Sequence, residues 1–160
     1  MTTHTKQQTE SATLCRIASI APQQVSRKLR VAGRILVYDH HTSVMLLGDG
    51  NSAVLVDLAL CLDPFKPTPW LRESNSTVMV IGSLEELETP YPLIELPLHA
   101  RPVEVDLQLI LRALSVRETR QLDLELWKRA ITMREQYTTS RNYQPEESIA
   151  HAELHPFNEK

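Results

Sequence analysis

The run Lys28-Leu29-Arg30-Val31-Ala32-Gly33-Arg34-Ile35-Leu36-Val37-Tyr38 constrains the fold of this chain more than any other segment. It is rich in β-formers, with basic residues interleaved among apolar ones, as in a strand with one buried face. Gly33 in its middle suits a bulge or sharp coil, where one strand bends from one sheet into another. Such a strand needs partners on both sides of the bend, and the sequence offers them. Asp39-His40-His41-Thr42 reads as a turn and residues 43–47 as a second strand. Gly48-Asp49-Gly50-Asn51 is a dense hairpin signal, and residues 53–60 make a third strand. Residues 77–84 read as a fourth strand, and residues 93–105 as a fifth, broken by Pro97 and Pro102. Four or five short strands with tight turns, one of them bent at a glycine, predict a small closed barrel.

Between the third and fourth strands, Pro64, Pro67 and Pro69 exclude a regular helix before Trp70. Phe65, Trp70 and Leu71 are expected to fold back over one mouth of the barrel. Farther on the pattern turns helical. Asp106 can cap a segment through Leu107, Ile110, Leu111 and Leu114. Ser115-Val116-Arg117-Glu118 fits a capping box, from which a second helix would run to about Tyr137. One continuous helix and two helices both remain open. Leu122, Leu126, Ala130, Met133 and Tyr137 share one face, and a second apolar row, Leu124, Trp127 and Ile131, lies beside it. The two rows are wider than a helix lying on a single surface needs. The surplus is expected to bury against a second polypeptide.

The 160 residues are enough for one domain with tails. Residues 1–13 and 138–160, poor in apolar side chains, read as disordered tails, the second acidic, around a domain at 14–137. No apolar run approaches the ~18 residues of a membrane span, and the first residues lack a signal peptide's apolar core. No membrane role is expected. Two cysteines, Cys15 and Cys61, make neither a disulfide framework nor a zinc module, which points to a reducing compartment. Four glycines leave no room for a glycine-rich phosphate loop. The net charge of −3 hides an uneven spread. Residues 1–38 carry six basic side chains against one acidic, and residues 39–99 carry two against nine. Strong non-specific nucleic-acid binders are basic overall, so this chain alone should bind nucleic acid weakly.

The chemistry-bearing residue types give little support to catalysis. His40-His41 lacks the further ligands zinc requires and reads as a solvated turn. Cys61, at the end of an apolar strand, reads as a buried small side chain. Glu85-Glu86-Leu87-Glu88 places carboxylates together, but at an expected hairpin tip. No hydrolase, metalloprotease or nucleotide-binding spacing is present. No enzymatic activity, metal or cofactor is expected. A small metal-dependent hydrolase built on His40, His41 and the acidic tip is the alternative from another class. The positive signals are two: Lys28, Arg30, Arg34 and Tyr38 as a weak contact for single-stranded nucleic acid, and the apolar helix rows as a partner surface.

Several strings resemble one known family. Gly33-Arg34-Ile35-Leu36-Val37-Tyr38-Asp39 is similar to the first-strand exit of the Ten-one subunits of the CST (Ctc-Stn-Ten) telomere-capping complex. Leu62-Asp63-Pro64-Phe65 resembles that family's Pro-Phe element after the third strand, and Val80-Ile81-Gly82-Ser83-Leu84 its fourth strand. Leu126, Ala130, Ile131 and Tyr137 are similar in type and spacing to its terminal helix. The resemblance covers roughly residues 25–137. It implies a mainly β protein, a five-stranded OB-fold barrel followed by one or two C-terminal helices. It also implies a non-catalytic subunit that pairs through the helix with an Stn-one-like OB-fold subunit. With a large Ctc/Cdc-type subunit the pair would form a heterotrimer on telomeric single-stranded DNA in the nucleus, protecting chromosome ends and assisting fill-in synthesis. The partner-binding residues would be Leu122, Leu126, Trp127, Ala130, Ile131, Met133 and Tyr137. The smallest subunit of replication protein A is the runner-up within the same broad class.

Overall fold

The computed structural model of the protein describes residues 10–142, so the expected tails 1–13 and 138–160 lie outside the described residues except at 10–13 and 138–142, where Thr13 opens a short strand and residues 138–142 continue a helix. Six strands and one long helix succeed one another: β1 Thr13–Leu14, β2 Lys28–Asp39, β3 Val44–Asp49, β4 Ser52–Asp57, β5 Thr77–Glu86, β6 Glu104–Glu118 and α1 Leu124–Asn142. The sheet order is β1-β2-β3-β4-β6-β5, and a further pairing of β2 with β5 closes β2–β6 into a five-stranded barrel. The short β1 lies outside it, parallel to β2. A mainly β barrel with a C-terminal helical end is what the sequence predicts; of the one or two helices it left open, the described residues form one, α1.

The bend in β2 makes closure possible. Lys28 to Arg34 pair antiparallel with β5, and Arg34 to Asp39 pair antiparallel with β3, so the strand changes neighbours just after Gly33. A Cβ on Gly33 would stand 2.8 Å from the Gly48 carbonyl oxygen and 2.7 Å from Ile17 Cδ1. Only glycine lets the strands cross that closely. The bulge itself comes two residues later, between Ile35 and Val37. β3 and β4 form the hairpin expected at Gly48–Asn51, with Gly50 at φ +61°.

Residues 106–114, whose spacing suggests a helix, are strand. β6 pairs parallel with β4 and antiparallel with β5, and it skips one residue, Leu114, opposite Ile81 and Gly82. That bulge breaks the period of two. Two apolar faces remove the remaining contrast, because Leu109, Leu111 and Ala113 point into the barrel while Ile110 joins a cluster on its outer side. Ser115–Glu118, read as a capping box, belongs to the same strand.

The segment 87–103, expected to be largely strand, is an irregular strap. Tyr91 anchors it at one end, its backbone N–H donating to the Leu107 carbonyl and its hydroxyl donating to Thr42 Oγ1 at 3.0 Å. At the other end the Glu104 N–H donates to the Asn51 carbonyl at the hairpin tip. The strap thus crosses the outer face of β3 and β4 from end to end. Beneath Leu87, Tyr91, Ile94, Leu96 and Val103 it seals Val44, Leu46, Leu55 and Ile110. The inner faces of the same strands fill the barrel with Met45, Leu47, Val54 and Val56, against Leu29, Val31, Val78, Val80, Leu84 and Leu111.

The loop between β4 and β5 only partly matches expectation. Leu71 is buried and Trp70 half-buried against the core, but Phe65 is 92% exposed and covers nothing.

Candidate functional site

α1 is set in place by its first turn. Asp123 Oδ1 accepts the backbone N–H groups of Glu125 at 2.9 Å and Leu126 at 3.1 Å, an N-cap that satisfies two donors a helix start leaves open. The helix then runs beyond the expected end at Tyr137. Thr138, Thr139 and Ser140 donate their hydroxyls to carbonyls four residues back, which keeps these polar residues inside the helix.

Two apolar side chains fix the helix's rotation. Leu124 and Ile131 are buried, and Trp127 between them is half-buried. Two ion pairs hold the flanks: Lys128 Nζ with Asp49 Oδ1 of the hairpin at 3.2 Å, and Arg16 Nη2 with Glu135 Oε2 at 3.0 Å. Lys128 also meets Glu125 at 2.7 Å, and this hydrogen bond is the main reason its ammonium holds its proton above the ordinary lysine value. The opposite row is left to solvent. Leu126, Met133 and Tyr137 are 62%, 54% and 73% exposed, and Ala130 between them is exposed too. Of the seven residues that sequence points to as a partner surface, these four share an open face. Ile131 is covered by its own chain and faces inward, Trp127 lies at the seam, and Leu122 precedes the helix in the turn after β6.

The basic strand is less of a unit than its spacing suggests. Arg34 is exposed. Lys28 and Arg30 are partly covered, and the Nε of Arg30 is shut off from solvent. The bulge at Leu36 changes which way the neighbouring side chains face: Leu36 and Val37 pack on the outer cluster, while Tyr38 packs against the barrel core. The structure therefore does not line the four side chains up as one continuous surface.

The remaining candidates are accounted for by local structure. The Asp39 carboxylate accepts the His41 N–H and the Thr42 hydroxyl, both at 2.9 Å, and the first of these lowers its pKa. His40 and His41 are exposed, their ring centroids 3.9 Å apart. Glu85 sits in β5 and not at a hairpin tip, where Arg112 on β6 bridges it at 2.9 Å and Asp57 on β4 at 3.0 Å. This bracket joins three strands and also raises the Arg112 pKa, chiefly through the Glu85 hydrogen bond. Burial pushes the thiols of Cys15 and Cys61 up, the opposite of what an activated nucleophile needs. Cys61 is half-buried, less covered than its place at the end of an apolar strand predicts. Among the described residues no group of three or more His, Cys, Asp or Glu side chains could hold a metal ion.

Comparison with known proteins bears on this geometry. A family model described as a telomere-capping, CST complex subunit matches residues 8–141. No curated protein matches the chain in sequence. Among solved structures, the S. pombe Stn1-Ten1 complex contains a chain with 19% identity and a TM-score of 0.56, covering 80% of this chain and 95% of that one. The telomere capping protein Ten1 of S. pombe, solved alone, aligns with 20% identity and a TM-score of 0.54, covering 79% of this chain and 99% of that one. At these identities the structural likeness speaks to the fold.

Proposed function

The chain belongs to the family of telomere-capping subunits of the CST complex, and from that membership we propose that it is a non-catalytic mount whose barrel presents α1 to an OB-fold partner of the Stn1 type at chromosome ends in the nucleus. One observation carries this reading. The helix keeps Leu124 and Ile131 for its own barrel and leaves a second apolar row, Leu126, Ala130, Met133 and Tyr137, on the outside. An exposed row at helical spacing suits burial against another helix. The complex whose solved chain this one resembles in fold is a Stn1-Ten1 pair, which supports the choice of partner.

The uneven charge and the single open arginine of β2 suit a subunit whose hold on single-stranded DNA is weak and secondary to the assembly's. Arg34 is the member of the basic strand best placed to contribute.

Co-expression with an Stn1-type protein, followed by sizing, tests the reading. A single co-eluting species that the Leu126→Asp substitution splits into separate chains is the expected result. Separate elution of the unaltered proteins would overturn it.

A further inference from the structure

The outer side of β2, β5 and the end of β6 carries a patch that is both basic and apolar. Leu29, Val31, Val78 and Val80 pack into the barrel, so the residues alternating with them point outward. Strand register then sets Arg30 beside Ile81 and Ser115, and Ala32 beside Met79 and Arg117. Lys28 lies on the same side of β2, two residues before Arg30. Leu114, which the β6 bulge skips, is 51% exposed there. Met79 and Ile81 are half-buried, and none of the three joins the barrel core or the cluster beneath the strap.

The cations of this patch are uncommitted. Among the described residues no carboxylate lies within ion-pair distance of Lys28, Arg30 or Arg117, while Glu85 and Glu118 on the same strands hold Arg112 and Arg120. The end of α1 comes to this side of the barrel. From its contact with Asp49 the helix runs on to Glu135, which Arg16 holds, and Arg16 follows β1, whose Leu14 is in register with Arg30. The helix ends at Asn142, about 10 Å beyond Glu135. Residues 143–160, outside the described residues, can reach the patch, since a chain of that length spans up to about 60 Å. Their chemistry complements it. Glu146, Glu147, Glu153 and Glu159 stand among Ile149, Leu154 and Phe157, with one lysine and no arginine.

We propose that residues 143–160 fold back and dock on this patch of the same molecule, with apolar side chains over Met79, Ile81 and Leu114 and carboxylates against Lys28, Arg30 and Arg117. Tethering favours this occupant, because a segment joined to α1 stands at an effective concentration of about a millimolar, against which a separate acidic protein must compete. The centre of the patch is Met79, Ile81 and Leu114, with no aromatic ring to stack a base, and so suits an acidic, apolar peptide better than a nucleic acid. The docked segment withdraws Lys28 and Arg30 from other anions, so the chain's own acidic end covers its most basic strand. The inference is independent of which partner α1 takes.

The full chain carrying a photo-crosslinking residue in place of Leu114 tests the docking. Digestion of the monomeric product should show position 114 joined to residues 143–160. Arg30→Glu with Arg117→Glu should lower this capture about tenfold, and adding Glu146→Arg with Glu147→Arg should bring it back to within about twofold of the start. Arg30 is half-buried, so Arg117→Glu alone, at an exposed position, serves should the double variant fail to fold; it should lower capture about threefold. Arg72→Glu with Arg101→Glu, the same charge change elsewhere on the surface, should leave capture within about 1.5-fold. No capture, capture of other segments instead, capture only between two copies, or capture of added oligothymidine in preference to residues 143–160 would each overturn the docking. So would equal losses in the control, or a charge swap that restores nothing.

Discussion

Lys128 of α1 places its ammonium 3.2 Å from the Asp49 carboxylate at the tip of the β3–β4 hairpin, where the Asp49 side chain keeps only 11% of its exposure. The contact pins the first turns of the helix to the barrel and so sets which row of α1 faces outward. Lys128→Met should loosen this end and lower stability by about 0.5–1 kcal/mol, as for a partly exposed pair. The pH dependence has a definite sign. A lysine whose folded pKa is raised contributes fully below its unfolded value and loses that contribution as pH rises through the folded one. Thermal melts should therefore show wild type losing its advantage over Lys128→Met above about pH 10.4, and a constant gap there would contradict the assignment.

Substitutions on the two rows of α1 should separate folding from pairing. Ile131→Asp puts a carboxylate where the side chain is 2% exposed. It should destabilise the isolated chain by about 3 kcal/mol or more. Leu126→Asp, at a position 62% exposed, should move the isolated chain's midpoint by less than about 0.5 kcal/mol while abolishing co-elution with the partner. Denaturant melts beside sizing runs measure both, and equal effects on stability would contradict the two-row arrangement.

Gly33→Ala forces a methyl group against the Gly48 carbonyl, which is backbone and cannot swing aside. A loss of about 1–3 kcal/mol is expected from overpacking at this crossing. Gly50→Ala meets nothing within 4 Å but must hold φ +61°, so its smaller loss is one of backbone strain alone. Urea unfolding of the two variants should rank them in that order.

The strap is held by apolar contact and few backbone hydrogen bonds. Ile94→Ser combined with Leu96→Ser should release it, at about 1–2 kcal/mol from lost burial, and uncover Val44, Leu46 and Leu55. Increased binding of a hydrophobic dye and new protease cuts between residues 88 and 102 would mark the release. A variant that resists both would show that the strap is held by something other than these side chains.

Much of the barrel was legible because its signals are local. The glycine in β2, the Gly50-Asn51 turn and the alternation of Thr77–Glu86 each depend on a few neighbouring residues. β6 was not legible, for a physical reason. Burial on both faces puts apolar residues at the successive positions Leu109, Ile110 and Leu111, and a bulge at Leu114 shifts the strand's phase, so Leu107, Ile110, Leu111 and Leu114 mimic a helical stripe. The strap is what creates that second face. For the candidate site, spacing along α1 revealed two apolar rows but could not say which one the barrel takes.

Residue order by itself determined four strands of the barrel, the bend at Gly33 and the presence of a doubly apolar terminal helix, because turns, bends and periodicity are properties of adjacent residues. Tertiary structure alone decided that Ile131 turns inward and Leu126 outward, and that the strap covers β3 and β4. Those outcomes depend on which surfaces exclude water together, a competition among segments far apart in sequence.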